Sequence, residues 1–345
     1  MRSALRTILV SALAVALLAI FLRNANLTRV WIELTSARPD LLFLAVALTI
    51  AMAFVRAERW QYLLAPLGRT RFRAAFRTTI IGFAASFVLP ARVGEVLRPY
   101  LLARSERLPA PAVFATIIVE RLLDLLAVIV LLIAFFLFFR GHEATAAPAL
   151  YRAVMLGAAA TAPVGLGILI AMFLMAGHPE RVHALVLGIE RVLPHRLAHW
   201  LATFTQTFAR GLAVVRSPSR VVWAIGWSLV LWLAIAAQLW ILVHAFDIAL
   251  PLGGSFLVTA ILVVGVAVPT PGGVGGTHEA MRLSLTAFYG ADNDAAVGAA
   301  ILQHGVNFVP YLLLGLWFLA QDGLTMTRLR ELTTSARNSA HEVIS

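Results

Sequence analysis

The residue types able to do chemistry sit in a few short stretches that interrupt apolar sequence. The segment Val268-Pro-Thr-Pro-Gly-Gly-Val-Gly-Gly-Thr-His-Glu279 carries two prolines and four glycines, so no helix continues through it and several backbone amides and carbonyls lose their partners. If a helix restarts near Thr277, its free amides and positive end face the break, an arrangement that would hold a phosphate. Pro271, Gly272, Gly273, Gly275, Gly276, Thr277, His278 and Glu279 are therefore candidate binding residues; the plainer use of the glycines is a tight hairpin turn. No Gly-Lys-Ser/Thr follows, which excludes a Walker loop, and position 282 is Arg, which excludes a His-Glu-x-x-His zinc site.

A second break, Pro90-Ala-Arg-Val-Gly-Glu-Val-Leu-Arg98, places Arg92, Glu95 and Arg98 at i, i+3 and i+6. One helical face then carries two guanidiniums around a carboxylate, suited to forked contact with phosphate oxygens. For Arg98 the alternative is a side chain snorkelling to lipid headgroups. Glu120, Arg121 and Asp124 interrupt an apolar helix about 8 to 12 residues in, roughly 12 to 18 Å deep at 1.5 Å per residue. Each charge there costs ~2.5 to 3.5 kcal/mol and must be paired inside the protein. Glu120 and Asp124 share a face, and Arg121 reaches Asp124 at i+3. The trio is either an ion pair that locks packing or a contact for a headgroup or coupling ion. His304 is a candidate proton carrier, with Gln303 and Asn307 on the same helix for interhelical hydrogen bonds. His183, His195 and His199 sit amid scattered Arg and are a weak metal signal, so no metal site and no cofactor is expected.

These groups need a scaffold, and composition says which kind. Of 345 residues, 61% are hydrophobic and 13% charged, against about 45 to 50% and 25% in soluble domains. The chain reads as an all-α polytopic membrane protein. Spans are expected at 4–22 (uncleaved), 41–64, 112–139, 151–176, 221–246 and 295–319. Two shorter apolar stretches, 74–89 and 255–268, each end in Pro or Gly. With about 20 residues needed to cross, these two are expected to enter and return on one side as re-entrant broken hairpins, beside six full spans. All 28 basic residues are Arg and the net charge is +11, which in such a chain reports topology and anionic headgroups before nucleic acid. The Arg-rich loop around Arg56, Arg59, Arg69, Arg71, Arg73 and Arg77, the amphipathic 181–220 segment and the tail belong inside with both termini, in a cytoplasmic or inner membrane. Arg23, Arg29 and Arg38 in the first outer loop run against that rule. Zero Cys removes thiol chemistry.

The two breaks belong to an internal repeat. Pro90 to Gly94 matches Pro271 to Gly275 at an offset of 181, and Ala112 to Ile117 matches Ala296 to Ile301 at 184, which sets His304 opposite Glu120. Each unit reads span, broken hairpin, span. The second starts three crossings after the first, so the two are inverted, a pattern that points to a transporter site near the midplane. The expected layout is 1–38 N-terminal span and outer loop, 39–140 repeat 1, 141–218 connecting span and interfacial segment, 219–322 repeat 2, and 323–345 tail.

With Pro-Ala-Arg-Val-Gly-Glu95, Val119-Glu-Arg-Leu-Leu-Asp124 and Pro271-Gly-Gly-Val-Gly-Gly-Thr-His-Glu279 in that order, the chain resembles the lysylphosphatidylglycerol synthase transmembrane, or flippase-like, family. The resemblance spans about Leu41 to Leu319. It implies a membrane protein that translocates or presents a lipid, with membrane lipids and a lipid-synthesis enzyme as partners. The family's soluble aminoacyl-transferase half has no expected counterpart, since the longest polar segment is about forty residues, so synthase activity is not inherited. A lipid transporter is the first expectation and a non-enzyme. A proton- or ion-coupled carrier of a soluble anion and an intramembrane lipid-modifying enzyme using Glu120, His278 or Glu279 are the alternatives. A lipid-open groove would separate the first from the carrier.

Overall fold

A computed structural model describes residues 2–88, 93–139, 141–178, 180, 195–268 and 270–321; the side chains of 2–11, 195–200, 218 and 271 fall outside that description. The fold is all-α and polytopic. Among the described residues five helices are long and apolar enough to cross a membrane, or six if a pair bent by 82° counts as one span. In chain order they are α1 (Arg2–Leu22), α2 (Leu27–Ser36), α3 (Pro39–Leu64), α4 (Phe72–Val88), α5 (Gly94–Glu106), α6 (Ala110–Ala134), the short α7 (Glu143–Ala146), α8 (Pro148–Gly177), α9 (His195–Gly211), α10 (Pro218–His244), α11 (Leu252–Ala267), α12 (Gly276–Tyr289) and α13 (Asn293–Gln321). The bent pair is α1 and α2, and Asn26 caps α2 by accepting from the Thr28 and Arg29 amides.

The repeat is visible as helix order: α3, α4, α5, α6 recur as α10, α11, α12, α13. Packing follows the symmetry. α3 lies on its own counterpart α10, while α4 packs on α13 and, reciprocally, α11 packs on α6. At 17 and 16 residues, α4 and α11 are too short to cross. Each folds back against the next helix at a glycine pair. A Cβ on Gly94 would collide with the Gly82 carbonyl, and one on Gly276 would lie 2.5 Å from the Gly265 carbonyl.

The hairpins enter from opposite ends of the bundle. Arg71 and Glu106, at the two feet of the first, form an ion pair of 3.0 Å. Gly211, at the end of α9, abuts Ala112 at that same end. The feet of the second hairpin meet the other end, where Gly253 abuts Phe139 and His142 bonds to the Phe288 carbonyl at 2.7 Å. The tips meet midway, since a Cβ on Gly272 would lie 3.4 Å from the Phe87 carbonyl. Apolar cores fill the bundle on either side of that level, one around Phe21, Val30, Leu242 and Val297 and one around Trp60, Leu102, Val113 and Leu212. Helix α9 packs on α6. His183 lies outside the described residues.

Candidate functional site

Between the hairpin tips is a half-open cavity of about 340 Å³ lined from every helix of both repeats. Repeat 1 contributes Met52 and Arg56 from α3, Gly82, Phe83, Ser86 and Phe87 from α4, Gly94, Glu95 and Arg98 from α5, and Ile117 and Arg121 from α6. Repeat 2 contributes Trp232, Thr259, Gly272, Gly273, Thr277, Gln303, His304, Asn307 and Tyr311, among others. Both restarted helices begin at this cavity, so the N-terminal ends of α5 and α12 border it, as the half-helix dipole argument requires.

Its charged wall is a buried network. Glu120 Oε1 accepts from Arg98 Nη1 at 2.9 Å and Arg121 Nη2 at 2.7 Å, and Arg59 Nη2 stands 3.4 Å away. Asp124 Oδ1 accepts from Arg59 Nη1 and, at 3.0 Å, from Trp232 Nε1 across the repeat boundary. Arg59 Nη1 also donates to Ser228 Oγ at 2.9 Å. Arg98 stacks on the Trp60 ring, 3.9 Å to its centroid, and Trp60 Nε1 donates to Thr116 Oγ1. Three guanidiniums thus surround two carboxylates, leaving one formal positive charge. Arg59 and Glu120 are fully buried, whereas Arg121 is 42% exposed because it borders the cavity.

The structure brings Glu95, Arg98, Arg121, Gly272, Gly273, Thr277 and His304 to the cavity and sets Glu120 and Asp124 behind it. Arg92 lies outside the described residues, as does the side chain of Pro271. Arg98 does not snorkel: it is 4% exposed, and its closest carboxylate partner is Glu120. Arg121 sits closer to Glu120 than to Asp124, which it reaches at 3.6 Å.

The glycines of the break, His278 and Glu279 are placed by the local backbone and packing. Gly272, Gly273 and Gly275 have φ of 61°, 73° and 90°, values that a side chain resists. Gly275 faces Leu17 of α1, and its amide donates to His278 Nδ1 at 3.4 Å, starting α12. His278 is buried between Phe21 and His304, with ring centroids 5.2 and 4.7 Å away. Glu279 pairs with Arg282, which also donates to Asn293 at 3.0 Å.

Arg56 and Arg59 are a correction. They belong to α3 and not to the basic loop: Arg59 is the central cation of the network, and Arg56 lies 5.2 Å from the Phe83 ring. Two Arg at i, i+3 inside a span, facing Glu120 and Asp124 at i, i+4, was the signal for them, because buried carboxylates need cations from another helix. The repeat held a further signal: Glu95-x-x-Arg98 recurs as Glu279-x-x-Arg282. Since Glu120 is replaced by His304, Arg282 lacks the buried carboxylate that holds Arg98 and pairs locally instead.

The family described as the lysylphosphatidylglycerol synthase TM region matches residues 7–315. The chain belongs to that family. It is a membrane protein linked to lipid handling by family. It is also similar to the glycosyltransferase AglD of Haloferax volcanii, 25% identical over 97% of this chain and 57% of that protein. A second relative, the UPF0104 membrane protein MJ1595 of Methanocaldococcus jannaschii, is 30% identical over 26% of this chain and 28% of its own length. The chain spans little more than half of the longer relative.

Proposed function

We propose that this protein moves or presents a lipid with an anionic headgroup across a cytoplasmic membrane. The headgroup sits between the hairpin tips and the tail stays in the bilayer. The observation that carries this reading is the cavity mouth. Of the lining residues, Glu95, Arg121 and Val266 are exposed, and their neighbours Val96, Ile118 and Val264 are apolar and 53, 46 and 69% exposed. With the hairpin tips between the two ends of the bundle, an opening there is expected to face hydrocarbon and not either aqueous phase. A phosphate cannot cross hydrocarbon unaided. Arg121 and the two half-helix N-termini replace its hydration, while the tail never leaves its solvent. At about 340 Å³, small among ligand cavities of about 300 to 1,000 Å³, the space suits a headgroup and not a tail.

The reading keeps the Arg-rich end, with the Arg71–Glu106 foot, on the cytoplasmic side. Its test is the purified protein in proteoliposomes with a fluorescent phosphatidylglycerol, measuring leaflet exposure by quenching from outside. Exposure faster than in empty vesicles is the expected result. Uptake of inorganic phosphate without lipid exposure would transfer the site to a soluble-anion carrier, and chemical conversion of the lipid would transfer it to an enzyme.

A further inference from the structure

The cavity is chemically two-ended. Its cationic end, with Arg56, Arg98 and Arg121, comes from repeat 1, and its neutral end, with Thr259, Gln303 and Asn307, comes from repeat 2. Arg121 stands at the mouth, whereas Thr259 and Gln303 are 3 and 8% exposed, as buried as Arg98 at 4%. Gln303 Nε2 is engaged by Gln238 Oε1 at 3.1 Å, and the Asn307 amide donates back to the Gln303 carbonyl at 2.9 Å. Those bonds leave Gln303 Oε1 and Thr259 Oγ1 buried without partners. Buried polar atoms of this kind are costly unless something else bonds them.

From this order we infer the class of headgroup, an inference that rests on the lipid reading above: a phosphodiester whose far side bears uncharged hydroxyl groups. The sequence mouth, guanidinium, neutral polar interior matches the sequence tail, phosphate, hydroxyl-bearing headgroup along such a lipid. Gln303 Oε1 accepts from a hydroxyl, and Thr259 Oγ1 donates to or accepts from one. An amine-bearing headgroup fits worse. Among the described lining residues the only carboxylate is Glu95 at the rim, so an ammonium seated at the neutral end would have no counter-charge in a dry site. A bare phosphate monoester would satisfy the Arg end and leave Thr259 and Gln303 unpaired.

The test is equilibrium binding to the full-length protein in detergent, using lipids with matched tails. Phosphatidylglycerol and phosphatidylinositol are expected to bind about tenfold or more tighter than phosphatidic acid or lysylphosphatidylglycerol, the worth of one or two hydrogen bonds. Thr259→Val and Gln303→Met keep side-chain volume and are expected to bring phosphatidylglycerol down to the level of phosphatidic acid without weakening phosphatidic acid itself. Equal affinity for all anionic lipids, or tightest binding of the lysyl lipid, overturns the inference and leaves the anionic-lipid reading standing. Binding of none of the four sinks that reading as well. If one of the two variants elutes as aggregate, the other gives the same comparison.

Discussion

Substitution of Arg121 separates recognition from packing. Sequence spacing pairs Arg121 with Asp124, so its removal would strand a buried carboxylate and only a double variant could be informative. The structure changes that expectation. Without Arg121, Glu120 still accepts from Arg98 at 2.9 Å and Asp124 still accepts from Arg59 and Trp232. The network then holds two cations and two anions. The Arg121 side chain borders the cavity, and both carboxylates keep a guanidinium without it, so its removal strands no buried charge and is expected to cost less stability than removal of Arg59. Arg59 is the contrast. Fully buried, it is the only guanidinium bonded to Asp124 Oδ1 among the described residues, and Arg59→Gln should cost about 3 to 5 kcal/mol. A charge-assisted hydrogen bond to phosphate contributes about 1.5 to 3 kcal/mol, so Arg121→Gln should slow lipid exposure about 10- to 100-fold at one decade per ~1.4 kcal/mol. The assay is leaflet exposure of phosphatidylglycerol in proteoliposomes, beside thermal unfolding in detergent. An Arg121→Gln protein that melts as early as Arg59→Gln, or that exposes lipid at the unsubstituted rate, refutes the assignment.

The second break should be intolerant for two separable reasons. Gly273→Val places a side chain at φ 73°, at roughly 1 to 3 kcal/mol of strain, without a close clash; Gly275→Val adds collision with Leu17 of α1 and should be the less stable, both read by thermal unfolding. Gly94→Ala drives a methyl into the Gly82 carbonyl and Ser86, so it should spread the first hairpin and abolish lipid exposure while membrane insertion survives in a fractionation assay. Topology is directly measurable because the chain has no native thiol: a cysteine at exposed Thr203 on α9 should label only from the cytoplasmic side, and labelling from outside would invert the orientation. Opening the Arg71–Glu106 pair by Arg71→Gln should shift the melting point little, since that arginine side chain is 75% exposed and such pairs contribute about 0 to 1 kcal/mol.

The membrane class, the five long spans and both broken hairpins were legible in the sequence because the bilayer imposes a one-dimensional rule; at the N-terminus, where a span and an outer loop were expected, α1 meets the further helix α2 at an 82° bend. About 20 apolar residues cross, and Pro or Gly inside such a run must stop a helix. Offsets of 181 and 184 likewise showed that the breaks at Pro90 and Pro271 are equivalent, since a repeat is a property of order alone. Spacing along one helix also brought Glu120, Arg121 and Asp124 onto neighbouring faces. It could not say which partner each would take. That choice was made by α3, whose Arg59 and Arg56 approach from another part of the chain, and by α10, whose Trp232 and Ser228 close the network across the repeat boundary. The same holds at the second break. The sequence offered His278 and Glu279 as ligands; the fold packs His278 against Phe21 and His304 and pairs Glu279 with Arg282, while Gly272, Gly273 and Thr277 line the cavity. Local order dictates where a helix must stop; which side chains meet there is decided by helices brought together from distant sequence, because a buried charge accepts whichever counter-charge the packing delivers.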